Sequence, residues 1–322
     1  MKKLIVSTAV ATLLLTVPGM AKAEENKGDW DKPIFIKGAD LDGQDLKQTE
    51  DDLGVKDDYE TYSVTTDDVS KYIPNSGNLS YIYSSATIKH KKWGNGVDVE
   101  IDSPDNITKV TGEQYQNASI TAGIKDAEIH IASVEKVTGE GALAGIYKAY
   151  EEKGNELNSE DIQNSNKEMQ DLTSISEENQ NKDGYSDEAL NASIADIKQQ
   201  LADIKKKQDE QITPQQVEDI VNKVLDERGL SKTLTDNQKQ MITDNMTNVA
   251  NSNALTSDPK AFAKNAKDAL KGIEKNSGDL LDKAKDLNTE ENRNFVQKIW
   301  DSILQIIQSI IGFITSLFNR IF

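Results

Sequence analysis

Residues 111–153 read TGEQYQNASITAGIKDAEIHIASVEKVTGEGALAGIYKAYEEK, and this stretch decides the fold class. Thr111-Gly112-Glu113-Gln114 is a capping box: a threonine able to accept from the third helical amide, and a glutamine able to reach back. It predicts a helix running to about Ala122 and ended by Gly123. Asp126 to Val134 then alternates, with Ala127, Ile129, Ile131 and Ser133 on one side, which predicts a half-buried strand. Thr138-Gly139-Glu140 opens a second helix, Ala142 to about Lys153, rich in small residues. Helix, strand and helix follow one another with both periodicities clear.

Working toward the N-terminus, the pattern stays mixed. Pro33 to Ile36 is a short strand candidate, and Leu41 to Leu53 a helix closed by Gly54. Thr61 to Thr65 is β-branched and reads as strand. Leu79 to Lys89 and Val97 to Ile101 read as adjacent strands joined by a turn at Gly94-Asn95-Gly96. The element order predicts an α+β domain over residues 24–153, a mixed sheet with helices on one face.

Working toward the C-terminus, strands disappear. Residues 154–186 read as a polar helix, Ser159 to about Ile175, and a loop linker. Residues 187–288 read as an acidic, all-α region of short helices with narrow apolar stripes. Leu190, Ile194, Ile197, Leu201 and Ile204 make one stripe; Val217, Ile220, Val221, Val224 and Leu225 make the next. Thr213-Pro214-Gln215-Gln216 and Thr235-Asp236-Asn237-Gln238 are further capping boxes, and Pro259 opens another helix. Leu280, Leu281, Ala284 and Leu287 mark one more, and residues 289–322 form a last helix capped by Thr289.

That last helix is strongly amphipathic. At 100° per residue, Trp300, Ile303, Leu304, Ile307, Ile310, Ile311, Ile314, Leu317, Phe318, Ile321 and Phe322 fall in one half-circle, together with the other apolar residues from Phe295 onward. The polar residues fall in the other half. A membrane span is marginal: Ser302 to Asn319 is free of charge but only about 27 Å long as a helix, and its glutamines would face lipid. The expected partner is a membrane surface, or the chain's own helical region. The 4-3-4-3-4 seam of Ile303, Ile307, Ile310, Ile314, Leu317 and Ile321 also suits pairing between copies.

Composition sets further bounds. The chain has 322 residues, 36% of them hydrophobic, with a formal charge of −18. Met1 to Ala23 reads as a cleaved secretory signal: Lys2 and Lys3, an apolar run from Leu4 to Val17, and Ala21-Lys22-Ala23. Its removal leaves a mature chain of about −21, expected outside the membrane at the cell surface. So acidic a surface repels nucleic acid. There is no cysteine, which excludes disulfides, thiol catalysis and thiolate metal sites; His90 and His130 are the only histidines, which excludes a multi-histidine metal centre.

Several stretches carry a family likeness: Gly38-Ala39-Asp40-Leu41, Tyr115 to Ala127, Thr138 to Glu151, Leu234-Thr235-Asp236 and Asn294 to Lys298. They resemble the YpuA-like family of exported Gram-positive proteins, a domain-of-unknown-function family. The resemblance covers nearly the whole mature chain, with the second and third stretches the most specific. It implies export and the two-part layout, and it brings no catalytic residue.

Local motifs add little chemistry. Gly139, Gly141 and Gly145 follow a strand and open a helix in a spacing that echoes dinucleotide-binding turns, but no second parallel strand follows. Packing of a small-residue helix against the sheet is the better reading. Asn179, Asn181, Asp183 and Asp187 echo a calcium loop, yet Leu190 stands where a bidentate acid is needed, so calcium is only a weak candidate and no other cofactor is expected. Asp40, Asp42 and Asp45 are expected to cap and charge a helix start. His130, between Ile129 and Ile131, is expected to face solvent or a polar pocket on the same side as Glu128. No nucleophile elbow, metalloprotease signature or glycosidase pair stands out. The sequence thus predicts an exported, envelope-associated binding module rather than an enzyme. A carboxylate-dependent hydrolase of wall polymers and a self-assembling structural protein are the alternatives.

Overall fold

The computed structural model describes residues 32–74, 76, 79–91, 96–207 and 211–277. The predicted helices beyond 277 and the signal-like segment lie outside these residues. Five strands form one mixed sheet: β1 (Ile34–Gly38), β2 (Glu60–Val64), β3 (Ser85–His90), β4 (Val97–Ile101) and β5 (Ala127–Ala132). The order is β2-β1-β3-β5-β4. β1 and β2 are parallel, as are β4 and β5; the central pairs β1–β3 and β3–β5 are antiparallel.

This order corrects the hairpin expected around Gly94-Asn95-Gly96. β5 inserts between β3 and β4, so the two strands are not neighbours. Ile88 of β3 pairs with Ile129, and Val99 of β4 pairs with the same residue from its other side. At this interior position Ala127, Ile129, Ile131 and Ala132 of β5 are all fully buried. β3 is also shorter than the apolar run from Leu79 predicts. Before Ser85 the chain leaves the ladder to cross Gly38, where Ile82 accepts from the Asp40 amide at 3.3 Å and donates its own to Asp40 Oδ2 at 2.7 Å. A Cβ on Gly38 would sit 2.3 Å from the Ile82 carbonyl oxygen, so only glycine permits the crossing. Asp40 is therefore a strap for this crossing rather than part of a helix cap.

Two parallel pairs need two crossover helices. α1 (Gly43–Asp52) links β1 to β2 and supports a small cluster of Phe35, Leu53 and Ala132 on one face of the sheet. α3 (Gly112–Thr121) links β4 to β5 and packs on the opposite face with α4 (Glu140–Glu152). The helices are thus unequally shared between faces instead of lying on one, and most of the apolar surface, including Ile34, Ile36, Ile88, Ile129 and Ile131, turns toward α3 and α4. A short α2 (Thr66–Tyr72) follows β2; its capping box of Thr65 and Asp68 lies where the β-branched run had suggested strand alone. The close approach of α4 explains its small residues: a Cβ on Gly145 would meet Ile36 Cγ2 at 2.4 Å, and one on Gly141 would meet Ser84 Oγ at 2.7 Å.

Both outer strands of the sheet have a carbonyl engaged by a side chain. Gln116 of α3 donates to the Val97 carbonyl on β4. Lys148 of α4 donates to the Ser63 carbonyl on β2 at 2.9 Å.

The remaining helices pack beyond α3: α5 (Ser159–Asn179), α6 (Asp187–Lys205), α7 (Pro214–Glu227), α8 (Asp236–Asn251), α9 (Asn253–Ser257) and α10 (Pro259–Asn276). The capping boxes at Thr111, Thr213 and Thr235 form as their spacing predicts, each pairing with a glutamine. α5 is longer than its polar sequence suggests and buries Ile162, Met169, Leu172 and Ile175. One continuous apolar cluster runs from Ile34 on the sheet to Ile273 on α10, so among the described residues the sheet and the helices that follow it share a core in an α+β fold.

The α3–α5–α6 contact also buries charge. Lys198 of α6 donates to Glu168 Oε1 of α5 at 2.6 Å and to the Asn117 carbonyl of α3 at 2.8 Å, while Thr121 donates to Glu168 Oε2 at 2.8 Å. Both charged side chains are fully enclosed. Burial pushes the Glu168 carboxyl up and the Lys198 ammonium down from their ordinary pKa values, so attraction between them acts against desolvation.

Candidate functional site

The face of the sheet turned away from α3 and α4 carries the polar chemistry. Strand alternation places Glu128 and His130 of β5 on it, and the parallel register brings Glu100 of β4 directly beside His130. Thr87 of β3 stands on the other side of His130. Asp102 follows β4, its amide donating to the Ile131 carbonyl at 2.8 Å and extending the ladder by one bond. The turn after it is tied to β5: Ser103 Oγ accepts from the Ser133 amide at 2.8 Å, and Asn106 Nδ2 donates to the Ser133 carbonyl at 2.8 Å. Asp102 is therefore held at a fixed height beside the histidine.

His130 Nδ1 lies 3.1 and 3.2 Å from the two carboxylate oxygens of Asp102. Its Nε2 lies 3.5 Å from Glu128 Oε1, which is 3.6 Å from Lys89 Nζ. Glu100, Asp102 and His130 each present one donor atom, all within 4.8 Å of one another. The His130 side chain is 24% exposed and that of Asp102 19%, so both are partly shielded yet reachable. A cleft of about 930 Å³ runs around the outer edge of β4, with Glu100, Glu128 and His130 in its wall beside Gly112 and Glu113 of α3 and Asn276 of α10. An imidazole and two carboxylates can hold a divalent cation, orient a water or exchange protons with a bound molecule.

The other sequence candidates fall elsewhere. Trp300, Ile303, Leu304, Ile307, Ile310, Ile311, Ile314, Leu317, Phe318, Ile321 and Phe322 lie outside the described residues. In the loop that echoes a calcium site, Asn179 Nδ2 donates to the Ile175 carbonyl at 2.6 Å and its Oδ1 accepts from Lys182 at 2.7 Å. Asp187 accepts from the Tyr185 hydroxyl at 2.7 Å, Asn181 and Asp183 are exposed, and Leu190 is buried in the core. Gly139, at φ +115°, caps α4 with its carbonyl receiving the Tyr115 hydroxyl at 2.8 Å, a packing role rather than a phosphate cradle.

The sequence reading placed Glu128 beside His130 but missed Glu100 and Asp102. Their only local signal is the matched two-residue spacing, Glu-x-Asp on one strand and Glu-x-His on the other.

Residues 37–269 match the family model described as "Protein of unknown function (DUF1002)". The chain belongs to the DUF1002 family. This DUF1002 chain is also 32% identical over 315 residues to "Uncharacterized protein YpuA" of Bacillus subtilis (strain 168), a match covering 94% of this chain and 96% of the relative. The YpuA-like resemblance read from residues 115–127 and 138–151 thus holds for the chain. No solved structure matches it.

Proposed function

We propose that this DUF1002 protein is exported and attaches to the cell envelope through residues 295–322, acting as a binding module rather than as an enzyme. The observation that supports it most is how fully the described body covers its own apolar surface. Among the described residues, Tyr81 is the large hydrophobic side chain left exposed. The stripes of α6, α7, α8 and α10 are turned inward, with Leu201, Val221, Ile242 and Phe262 all buried. Read as a helix from the sequence, residues 295–322 carry a half-cylinder of isoleucine, leucine and phenylalanine, and among the described residues no apolar face of comparable size is exposed. A bilayer interface offers one, and apolar burial rather than charge drives the attachment, since Lys298 and Arg320 are the only positive residues on its polar side. The signal-like start at Met1 to Ala23 supports export.

Flotation with liposomes tests the reading. The mature chain, residues 24–322, is expected to rise with both neutral and anionic vesicles, and the chain ended at 294 to stay behind. A full-length chain that remains in the soluble fraction with both vesicle types refutes it. A second reading, a carboxylate-dependent hydrolase of wall polymers, is favoured by the acidic cluster beside the β4 cleft. Turnover of a wall polysaccharide or peptidoglycan that disappears in Glu100→Gln and Asp102→Asn is the result that would carry it.

A further inference from the structure

We propose that Glu100, Asp102 and His130 form a site for one divalent transition-metal ion of the zinc class, with Glu128 orienting the imidazole. The first support is the donor set. Two carboxylates and one imidazole, brought within 4.8 Å by β4, the residue that follows it and β5, match the mixed nitrogen and oxygen ligation that such ions prefer. Calcium, which takes six to eight oxygens, fits it poorly.

The two ring nitrogens of His130 supply the second. Asp102 stands on the Nδ1 side, so an ion shared with Asp102 binds Nδ1. That leaves the Nε2 proton on the side of Glu128, whose Oε1 is 3.5 Å away. A metal-binding histidine characteristically donates its other N–H to a carboxylate, which fixes tautomer and ring orientation. Glu128 also lies 3.6 Å from Lys89, which keeps it in this outer role.

Thr87 flanks the imidazole from the other side. Its side chain is fully buried, and its Oγ1 has no hydrogen-bond partner. Ala86 and Ile88, on either side of it, belong to the opposite, apolar face, so Thr87 projects onto the face of His130, the residue directly across from it on β5. A buried hydroxyl without a partner is costly. It stands on the β3 side of the imidazole, with Glu100 on the β4 side. The charge balance agrees: Asp98, Glu100, Asp102 and Glu128 outnumber the neighbouring cations Lys89 and Lys91.

Isothermal titration of the mature chain with zinc chloride, in excess calcium to fill weak acidic sites, tests the site. One saturable equivalent is expected. His130→Ala should abolish it, and Glu100→Gln and Asp102→Asn should each weaken it by at least about tenfold. Glu128→Gln should weaken it by about tenfold, as loss of an orienting carboxylate does. Zinc should also raise the unfolding temperature of the parent and not of Glu100→Gln. Glu100 is exposed, so that variant keeps the test decisive if an Asp102 substitution disturbs the strand end. Absence of a saturable equivalent, or an affinity unchanged in Glu100→Gln, overturns the proposal. The readout involves neither lipid nor turnover, so failure of the membrane reading leaves it standing.

Discussion

Replacing Lys198 with methionine keeps most of the apolar stem of the side chain and removes its charge, which isolates the worth of the buried pair. In the parent, Glu168 has two donors, Lys198 at 2.6 Å and Thr121 at 2.8 Å. The substitution leaves a fully enclosed carboxylate with Thr121 alone, and the Asn117 carbonyl without its ammonium. Removing one partner of a buried ion pair costs about 3–5 kcal/mol, because the remaining charge stays desolvated without compensation. For a body of this size each kcal/mol lowers the unfolding temperature by about 2–4 °C, so the expected drop is roughly 6–20 °C. The double variant Lys198→Met/Glu168→Gln removes both charges and keeps an acceptor for Thr121. It should return to within about 1 kcal/mol of the parent or exceed it, since a neutral replacement avoids both desolvation penalties. Urea unfolding of the parent, both singles and the double measures the coupling directly. A Lys198→Met loss under about 1 kcal/mol, or a double variant whose loss equals the sum of the singles, would refute the reasoning.

The other predictions concern packing and pH. Gly145→Ala brings a methyl to 2.4 Å from Ile36 Cγ2 with Val64 behind it. Overpacking of about 1–3 kcal/mol should outweigh the gain of about 1 kcal/mol from alanine in a helix, and a raised urea midpoint would contradict this. Asp68 caps α2 and accepts from Lys148 at 2.8 Å. Burial acts to raise its pKa, but the bonds from Lys148 and Thr65 outweigh that and hold it below the usual carboxylate value. A lowered folded pKa means stability that is present above the ordinary carboxylate pKa and lost as pH falls through the folded one. Asp68→Asn should therefore be less stable than the parent at neutral pH, with the gap closing in strong acid; a gap constant with pH would count against this. Ser165→Ala removes a hydroxyl that bonds the Ala118 carbonyl at 2.6 Å and pairs with the Tyr147 hydroxyl at 2.7 Å. Leaving Tyr147 buried without that partner should cost about 1–3 kcal/mol in chemical denaturation, and no measurable change would show the bond to be dispensable.

Local order was legible and long-range order was not. The helix starts at Thr111, Thr213 and Thr235 depend on residues three apart, and each forms. The strand character of Val97–Ile101 and of Ala127–Ala132 was equally plain, but their pairing depends on contacts between segments far apart in the chain. An apparent turn at Gly94-Asn95-Gly96 pointed to the wrong partner. That single error hid the candidate site, because Glu100 and Asp102 meet His130 only when β4 lies beside β5. Lys198 was hidden for a different reason. A lysine among Ile194, Ile197 and Leu201 reads as one charged residue on a helix, and nothing nearby reveals that Glu168, thirty positions earlier, comes to meet it.

Gln116 and Lys148 reach across the two margins of the sheet and occupy the Val97 and Ser63 carbonyls. Those oxygens are what a foreign strand would need to begin zipping on. Each border thus has one acceptor already held by an arm from a helix behind it, which hampers edge-to-edge pairing between neighbouring molecules.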